Sequence, residues 1–118
     1  MKRVLIVDDS MIMRFVLTTR LKGLPIEIVV EATNGREALE LFSKHKPDIV
    51  TMDITMPEMD GLTSMKKMIQ ILPETKVIVV TAVSDPAVAL DAMEKGAYAV
   101  IHKPVTAAQM QEIMSTLV

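Results

Sequence analysis

Near its start the chain reads Val4-Leu5-Ile6-Val7-Asp8-Asp9. This continuous apolar run stops abruptly at two acidic residues. A second apolar run, rich in β-branched side chains, reads Val77-Ile78-Val79-Val80. Runs of this length without polar alternation are typical of parallel strands that helices cover on both faces. The two stretches therefore favour a parallel sheet at the centre of the fold.

Strand patterns and helical patterns alternate along the rest of the chain. We predict strands at about 2–7, 26–31, 48–52, 76–81 and 98–102, each followed by a helix. Five successive β-α units imply an α/β fold of the doubly wound (βα)5 type, with five parallel strands and helices on both sides. We find no linker, repeat or low-complexity tract in the sequence. The prediction is one domain over residues 1–118.

Several helix features can be predicted from local sequence. In the first helix, four residues recur at i, i+3, i+4 and i+7 and should form one face: Ile12, Phe15, Val16 and Thr19. Asp85 followed by Pro86 is typical of the start of a helix, here the fourth. Thr106 with Gln109 three residues later forms a capping-box pattern at the start of the fifth.

Composition limits the possible functions of the chain. A net charge of −2 provides no basic field for nucleic acid or anionic lipid. The absence of Cys excludes disulfides, thiolate metal sites and cysteine nucleophiles. The apolar run near the start is too short for a signal peptide or a membrane span. We therefore expect a cytoplasmic protein that neither inserts into membranes nor binds nucleic acid directly.

Reactive or charged side chains end four of the five predicted strands. They are Asp8 and Asp9, Asp53, Thr81, and Lys103. Ligands of open α/β sheets bind beyond the carboxyl ends of the strands, so these residues should share one edge. Strand 2, which ends in Glu31 and Ala32, is expected to lie outside this site.

Three carboxylates at one sheet edge require a compensating cation. At about 5 Å separation they would repel by roughly 3 kcal/mol per pair at an effective dielectric of 20. Carboxylate oxygens without His or Cys suit Mg²⁺. An Asp beside Mg²⁺ can attack phosphorus, while Lys103 and Thr81 can neutralise and hydrogen-bond phosphoryl oxygens. In a simpler interpretation, the acidic pair only caps a helix, Lys103 is a solvated loop residue and Thr81 is an ordinary strand residue. This interpretation does not explain the third carboxylate.

An ordered set of motifs matches one family. The matching residues are Asp8-Asp9, Asp53, Met56-Pro57-Glu58-Met59-Asp60-Gly61, Thr81-Ala82 and Lys103-Pro104. Over essentially its whole length the chain resembles the receiver domain of bacterial two-component response regulators, most of all the stand-alone CheY-like chemotaxis type. The resemblance implies a flavodoxin-like strand order 2-1-3-4-5. It also implies a signalling switch, not an enzyme, with phosphoryl transfer and autodephosphorylation only at its own Asp53.

The resemblance also implies the composition of the metal site. Asp9 and Asp53 are expected to bind Mg²⁺ directly, together with the backbone carbonyl of Thr55. Asp8 is expected to act largely through water. Lys103 should contact the phosphoryl group and is expected to precede a cis peptide bond to Pro104. The expected phosphoryl donor is a histidine kinase, a phosphotransfer protein or a small acyl phosphate.

The expected switch departs from the family pattern at one position. Thr81 should move toward the phosphoryl group and alter an effector-binding face formed by helix 4, strand 5 and helix 5. The family usually places Tyr or Phe three residues before the lysine, but here that residue is Val100, and the only tyrosine is Tyr98. We therefore expect a switch without the usual ring movement. Thr55 and Val83 should flank the path of the attacking water and tune the lifetime of the phosphorylated state.

Three alternative functions remain open from the sequence. A haloacid-dehalogenase-like phosphatase would need a second Asp where Thr55 stands, as well as a cap domain. A phosphorelay intermediate or phosphate sink would have the same site but no effector of its own. The chain could also be the receiver of a longer regulator, although Met1 directly before the first strand favours a natural start.

Overall fold

The computed structural model describes residues 1–54 and 60–118, in which strands and helices alternate. In chain order these are β1 Lys2–Val7, α1 Met11–Arg20, β2 Ile26–Ala32, α2 Gly35–His45, β3 Ile49–Asp53, α3 Gly61–Ile71, β4 Lys76–Thr81, α4 Pro86–Glu94, β5 Ala99–His102 and α5 Ala107–Ser115. No helix within these two ranges combines the length and the apolarity needed to cross a bilayer.

The strands form one parallel sheet in the order β2-β1-β3-β4-β5. This confirms the predicted doubly wound (βα)5 fold and its flavodoxin-like order. Val7 pairs with Met52 between β1 and β3, and Asp53 pairs with Val80 between β3 and β4. The carboxyl ends of the three central strands therefore meet at the same edge of the sheet.

Two hydrophobic clusters cover the two faces of the sheet. Phe42 of α2, Met65 and Met68 of α3 and Ala92 of α4 belong to the cluster on one face. The cluster on the other face contains Leu17 of α1 together with Met110 and Met114 of α5. Residues 4–7 of β1 and 77–80 of β4 are at most 1% exposed between these layers, as their unbroken apolar runs predicted.

The predicted packing face of α1 is wrong. Ile12 and Phe15 are 73% and 70% exposed, so their stripe faces solvent. A second stripe at spacing four, which includes the buried residues Leu17 and Leu21 and the partly buried Met13, packs on the sheet instead. Both stripes satisfy the helical period, and only the docking of α1 against β1 and β3 selects between them.

Helix starts are set by side-chain caps, as the local sequence predicted. Asp85 caps α4, and Thr106 forms a complete capping box with Gln109 at the start of α5. Asp60 accepts a hydrogen bond from the Thr63 backbone N–H at the start of α3. These caps satisfy backbone donors that have no partner within the helix.

Candidate functional site

Three carboxylates gather at the carboxyl edge of the sheet. Asp8 and Asp9 directly follow β1, and Asp53 is the last residue of the neighbouring strand β3. Each offers one oxygen, and these oxygens all lie within 4.8 Å of one another. Asp8 and Asp53 are buried, with 1% and 2% exposure, whereas Asp9 is exposed at the mouth of the cluster.

Lys103 reaches this cluster from the end of β5. Its Nζ lies 3.2 Å from Asp8 Oδ2 and 3.7 Å from Asp53 Oδ2. The backbone N–H of Lys103 donates to the carbonyl oxygen of Thr81, which fixes the start of the loop. The peptide bond between Lys103 and Pro104 is cis. One ammonium group therefore contacts two of the three carboxylates.

The electrostatics of the cluster disfavour the charged form of Asp8. Burial raises the pKa of Asp8, and the nearby Asp53 charge acts in the same direction. The Ser10 backbone N–H and the Lys103 ammonium oppose this rise but do not cancel it. Within the part of the chain that the structure describes, three acidic groups face a single lysine, so the cluster retains excess negative charge. Oxygen donors with excess negative charge fit a hard divalent cation such as Mg²⁺.

Thr81 lies fully buried at the end of β4, one residue beyond the partner of Asp53 in the sheet. Its Oγ1 accepts a hydrogen bond of 3.0 Å from the backbone N–H of Val83. This bond holds the first residues of the β4–α4 loop against the end of the strand. Val83 itself is half-buried in that loop.

Val100 and Tyr98 lie in different surroundings. Val100 pairs with Val79 in the sheet and packs against the cluster that α2, α3 and α4 cover. Tyr98 precedes β5, at the end of the strand opposite to Lys103. Its hydroxyl forms a 2.6 Å hydrogen bond with Thr116 Oγ1 at the end of α5. The Tyr98 ring is therefore bonded away from the carboxylates.

As expected, Glu31 at the end of β2 is not one of the clustered carboxylates, but this strand end supports the backbone of Asp8. The Asp8 backbone N–H donates to the carbonyl oxygen of Ala32. Glu31 binds Arg14 of α1, and Arg14 in turn donates to the carbonyl oxygen of Asp8. The sequence contains a weak signal for this contact. Arg14 lies near the amino end of α1, where the helix dipole makes a positive charge unfavourable, so its side chain needs another partner. The predicted ligand Thr55 lies outside the described residues.

Comparison with known proteins identifies the class that this fold and site define. A family model described as the response regulator receiver domain matches residues 4–115. The chain belongs to this family, whose members act in two-component signalling.

Within that family the chain is CheY-like. It is 45% identical over 114 residues to the chemotaxis protein CheY of Thermotoga maritima, covering 97% of this chain and 95% of that protein. It is 42% identical over 113 residues to CheY of Bacillus subtilis, covering 96% and 94% of the two chains. A crystal structure of a CheX–CheY–BeF3–Mg complex from Borrelia burgdorferi contains a chain of the same fold, with a TM-score of 0.92, 36% identity and coverage of 99% and 90%.

Proposed function

We propose that this protein is a phosphorylation-dependent switch in chemotaxis or a similar two-component pathway. Asp53 accepts a phosphoryl group in a Mg²⁺-dependent reaction, and the modified protein changes its affinity for a partner. The observation that supports this proposal best is the clustering of three carboxylate oxygens within 4.8 Å, with Lys103 Nζ 3.7 Å from Asp53 Oδ2. A purely structural role does not account for so much like charge at one edge.

Asp53 is the nucleophile in the proposed reaction. One of its carboxylate oxygens forms a bond to phosphorus, while the bond from phosphorus to the donor's histidine nitrogen or acyl oxygen breaks. The bonding electrons leave with the donor group, so no oxidant or reductant is needed. The position of Asp53 at a strand end with 2% exposure favours attack by a held carboxylate on a group that enters from the open edge.

Asp8, Asp9 and Asp53 are the residues that would hold the metal. Bound Mg²⁺ would neutralise developing charge on the phosphoryl oxygens. Lys103 lies within ion-pair distance of Asp53, so in the phosphorylated state it can move its contact from the carboxylate to the new phosphoryl oxygens. Exchange of Lys103 between Asp8 and the phosphoryl group couples the chemistry to the loop after β5.

Thr81 carries the proposed conformational change. To donate its hydroxyl to a phosphoryl oxygen, it must turn and give up the hydrogen bond that it accepts from Val83. The β4–α4 loop then loses one of its links to the sheet. Val100 contributes no ring to this movement, and the Tyr98 hydroxyl is bonded to Thr116, so we propose that the signal passes through the loop into α4 without a ring rotation.

Two exposed apolar areas suit the proposed protein partners. Met11, Ile12 and Phe15 of α1 are between 70% and 73% exposed, next to the acidic pair, where a kinase or phosphotransfer protein must approach. On the proposed effector face, Leu90 and Met93 of α4 are 60% and 46% exposed.

Labelling with a small phosphodonor tests the proposal. Incubation with acetyl phosphate and Mg²⁺ should add one phosphoryl group, seen in the intact mass. Asp53→Asn should remain unlabelled, and chelation of Mg²⁺ should abolish labelling of the native chain. Labelling of Asp53→Asn, or labelling that is indifferent to magnesium, would refute the proposal.

Two further measurements separate the alternatives. A phosphomonoester should not be turned over repeatedly, because the chain is proposed to modify only itself. Pull-down with and without beryllofluoride, a phosphoryl mimic, should show a partner whose affinity changes. If affinity for every captured partner stays constant while phosphoryl groups pass to a histidine-containing protein, the relay interpretation is correct instead.

A further inference from the structure

Arg14 connects three elements behind the acidic pair. From α1, its Nη1 donates a 2.8 Å hydrogen bond to the backbone carbonyl oxygen of Asp8. Its Nε lies 3.1 Å from Glu31 Oε1 at the end of β2, and its side chain is only 15% exposed. A guanidinium group is planar and rigid, so two occupied donors fix its orientation. Glu31 thus holds Arg14 in the position from which it binds Asp8.

The carbonyl that Arg14 binds belongs to the peptide between Asp8 and Asp9. The other side of the Asp8 backbone is held as well, because its N–H donates to the Ala32 carbonyl at 3.1 Å. The Asp8 carboxylate has its own partners in Ser10 and Lys103. Both the backbone and the side chain of Asp8 are therefore fixed.

Asp9 differs from the other two acids of the cluster. It is exposed, and within residues 1–54 and 60–118 no hydrogen bond or ion pair holds its carboxylate. The direction in which its side chain leaves the backbone is consequently set by the two peptide planes that flank it. The Ser10 N–H, which donates to Asp8 Oδ1, holds the plane that follows Asp9, and Arg14 is the side chain that holds the plane that precedes it.

We propose that Arg14, oriented by Glu31, is a positioning residue that aims the Asp9 carboxylate into the metal site. The inference rests on the proposed function, since it assumes that the three carboxylates bind Mg²⁺. It assigns a role to the end of β2, which supplies no ligand of its own. It also explains why a cation is tolerated behind a site that binds another cation.

The direction in which loss of Arg14 changes the Mg²⁺ affinity distinguishes a positioning role of this side chain from a purely electrostatic effect of its charge. A positive guanidinium near a cation site repels the metal, so removing its charge alone should tighten Mg²⁺ binding. If Arg14 acts by positioning, its removal should weaken binding, because the outer partners of metal ligands typically contribute 10- to 100-fold in affinity. The two mechanisms therefore predict opposite changes.

Calorimetric titration with MgCl2 provides the test. Arg14→Met, which keeps an unbranched apolar stem, should raise the Mg²⁺ dissociation constant about tenfold. Arg14→Lys keeps the charge but loses the fork that spans Glu31 and Asp8, and it should also weaken binding. With acetyl phosphate, saturating Mg²⁺ should restore most of the labelling rate of Arg14→Met, since the defect lies in metal binding.

Arg20→Met is the matched control. Arg20 also lies on α1 and donates to a backbone carbonyl, that of Val105 at 3.0 Å, but not at the acidic pair. Its loss should leave the Mg²⁺ dissociation constant unchanged. Unchanged or tighter Mg²⁺ binding by folded Arg14→Met and Arg14→Lys would overturn the inference alone. A native chain that neither binds Mg²⁺ nor accepts label would refute the proposed function and this inference with it.

Discussion

Replacement of Gly61 by alanine tests how closely the start of α3 is packed against the proposed phosphoacceptor. A Cβ at position 61 would lie 2.3 Å from the carbonyl oxygen of Asp53 and 2.7 Å from Cα of Ile54. Real Cβ atoms essentially never approach closer than 3.0 Å, so the two backbones must separate by about 0.7 Å. The atoms in the way belong to the main chain, which cannot rotate aside as a flexible side chain can.

Both stability and chemistry should respond to this displacement. Overpacking of a tightly packed site typically costs about 1–3 kcal/mol, and we expect Gly61→Ala to lower the free energy of unfolding by this amount. Misplacement of a reacting group by about 1 Å can cost on the order of 100-fold in rate. We therefore expect phosphorylation of Asp53 by acetyl phosphate to slow by at least about tenfold. Urea denaturation followed by circular dichroism and time-resolved intact mass measure the two effects.

Gly23→Ala is the control, because it replaces a glycine by alanine at a position where the added Cβ contacts nothing. Gly23 has φ +83°, and a Cβ there would meet no atom within 4 Å. The substitution should cost about 1–2 kcal/mol of left-handed strain but leave the labelling rate unchanged. If Gly61→Ala is labelled at the native rate while remaining folded, the close packing of α3 does not position the phosphoacceptor and the argument fails.

Four other predictions concern single side chains. Thr51 Oγ1 is buried without a hydrogen-bond partner among the described residues, so Thr51→Val should stabilise the fold by about 1 kcal/mol. Thr75→Val, which removes a bonded hydroxyl, should destabilise it in the same urea assay. The Thr63 backbone N–H lowers the pKa of Asp60 in the folded chain. The stability that this cap contributes is therefore complete above the pKa that Asp60 has in the unfolded chain, and it is lost as the pH falls through the pKa of Asp60 in the folded chain. As the pH falls from about 5 to 2, the free energy of unfolding should therefore decrease less for Asp60→Asn than for the native chain. An equal decrease would contradict this assignment. Val83→Glu should speed autodephosphorylation about tenfold, because a carboxylate can orient water and an isopropyl group cannot. An unchanged rate at constant Mg²⁺ would place Val83 away from the water path.

The sheet edge that carries the acids could be predicted from chain direction. Parallel strands end at one edge, so Asp8 after β1 and Asp53 at the end of β3 must lie at the same edge. That β1 and β3 are neighbours follows from the strand order that the family resemblance implied. Helix starts such as Asp85 and Thr106 were predictable for a similar reason, since a cap acts within three residues of its own sequence. These features depend on the order of residues and not on details of packing.

The packing face of α1 could not be predicted in this way. The stripe with Ile12 and Phe15 is as apolar as the stripe with Leu17 and Leu21, and each has helical spacing. The choice depends on which stripe complements the sheet surface at the docked angle of the helix. Contacts between residues distant in sequence decide it.

The succession of strands and helices, the parallel sheet and the identity of the acids and the lysine at its edge can be inferred from the order of the residues, because local periodicity and strand direction carry that information. Three sets of contacts emerge only in the folded chain: Arg14 and Glu31 support Asp8, Gly61 lies against the Asp53 backbone, and Tyr98 bonds to α5. These contacts join residues up to 18 positions apart through side-chain geometry, and the sequence pattern of each element is compatible with other partners.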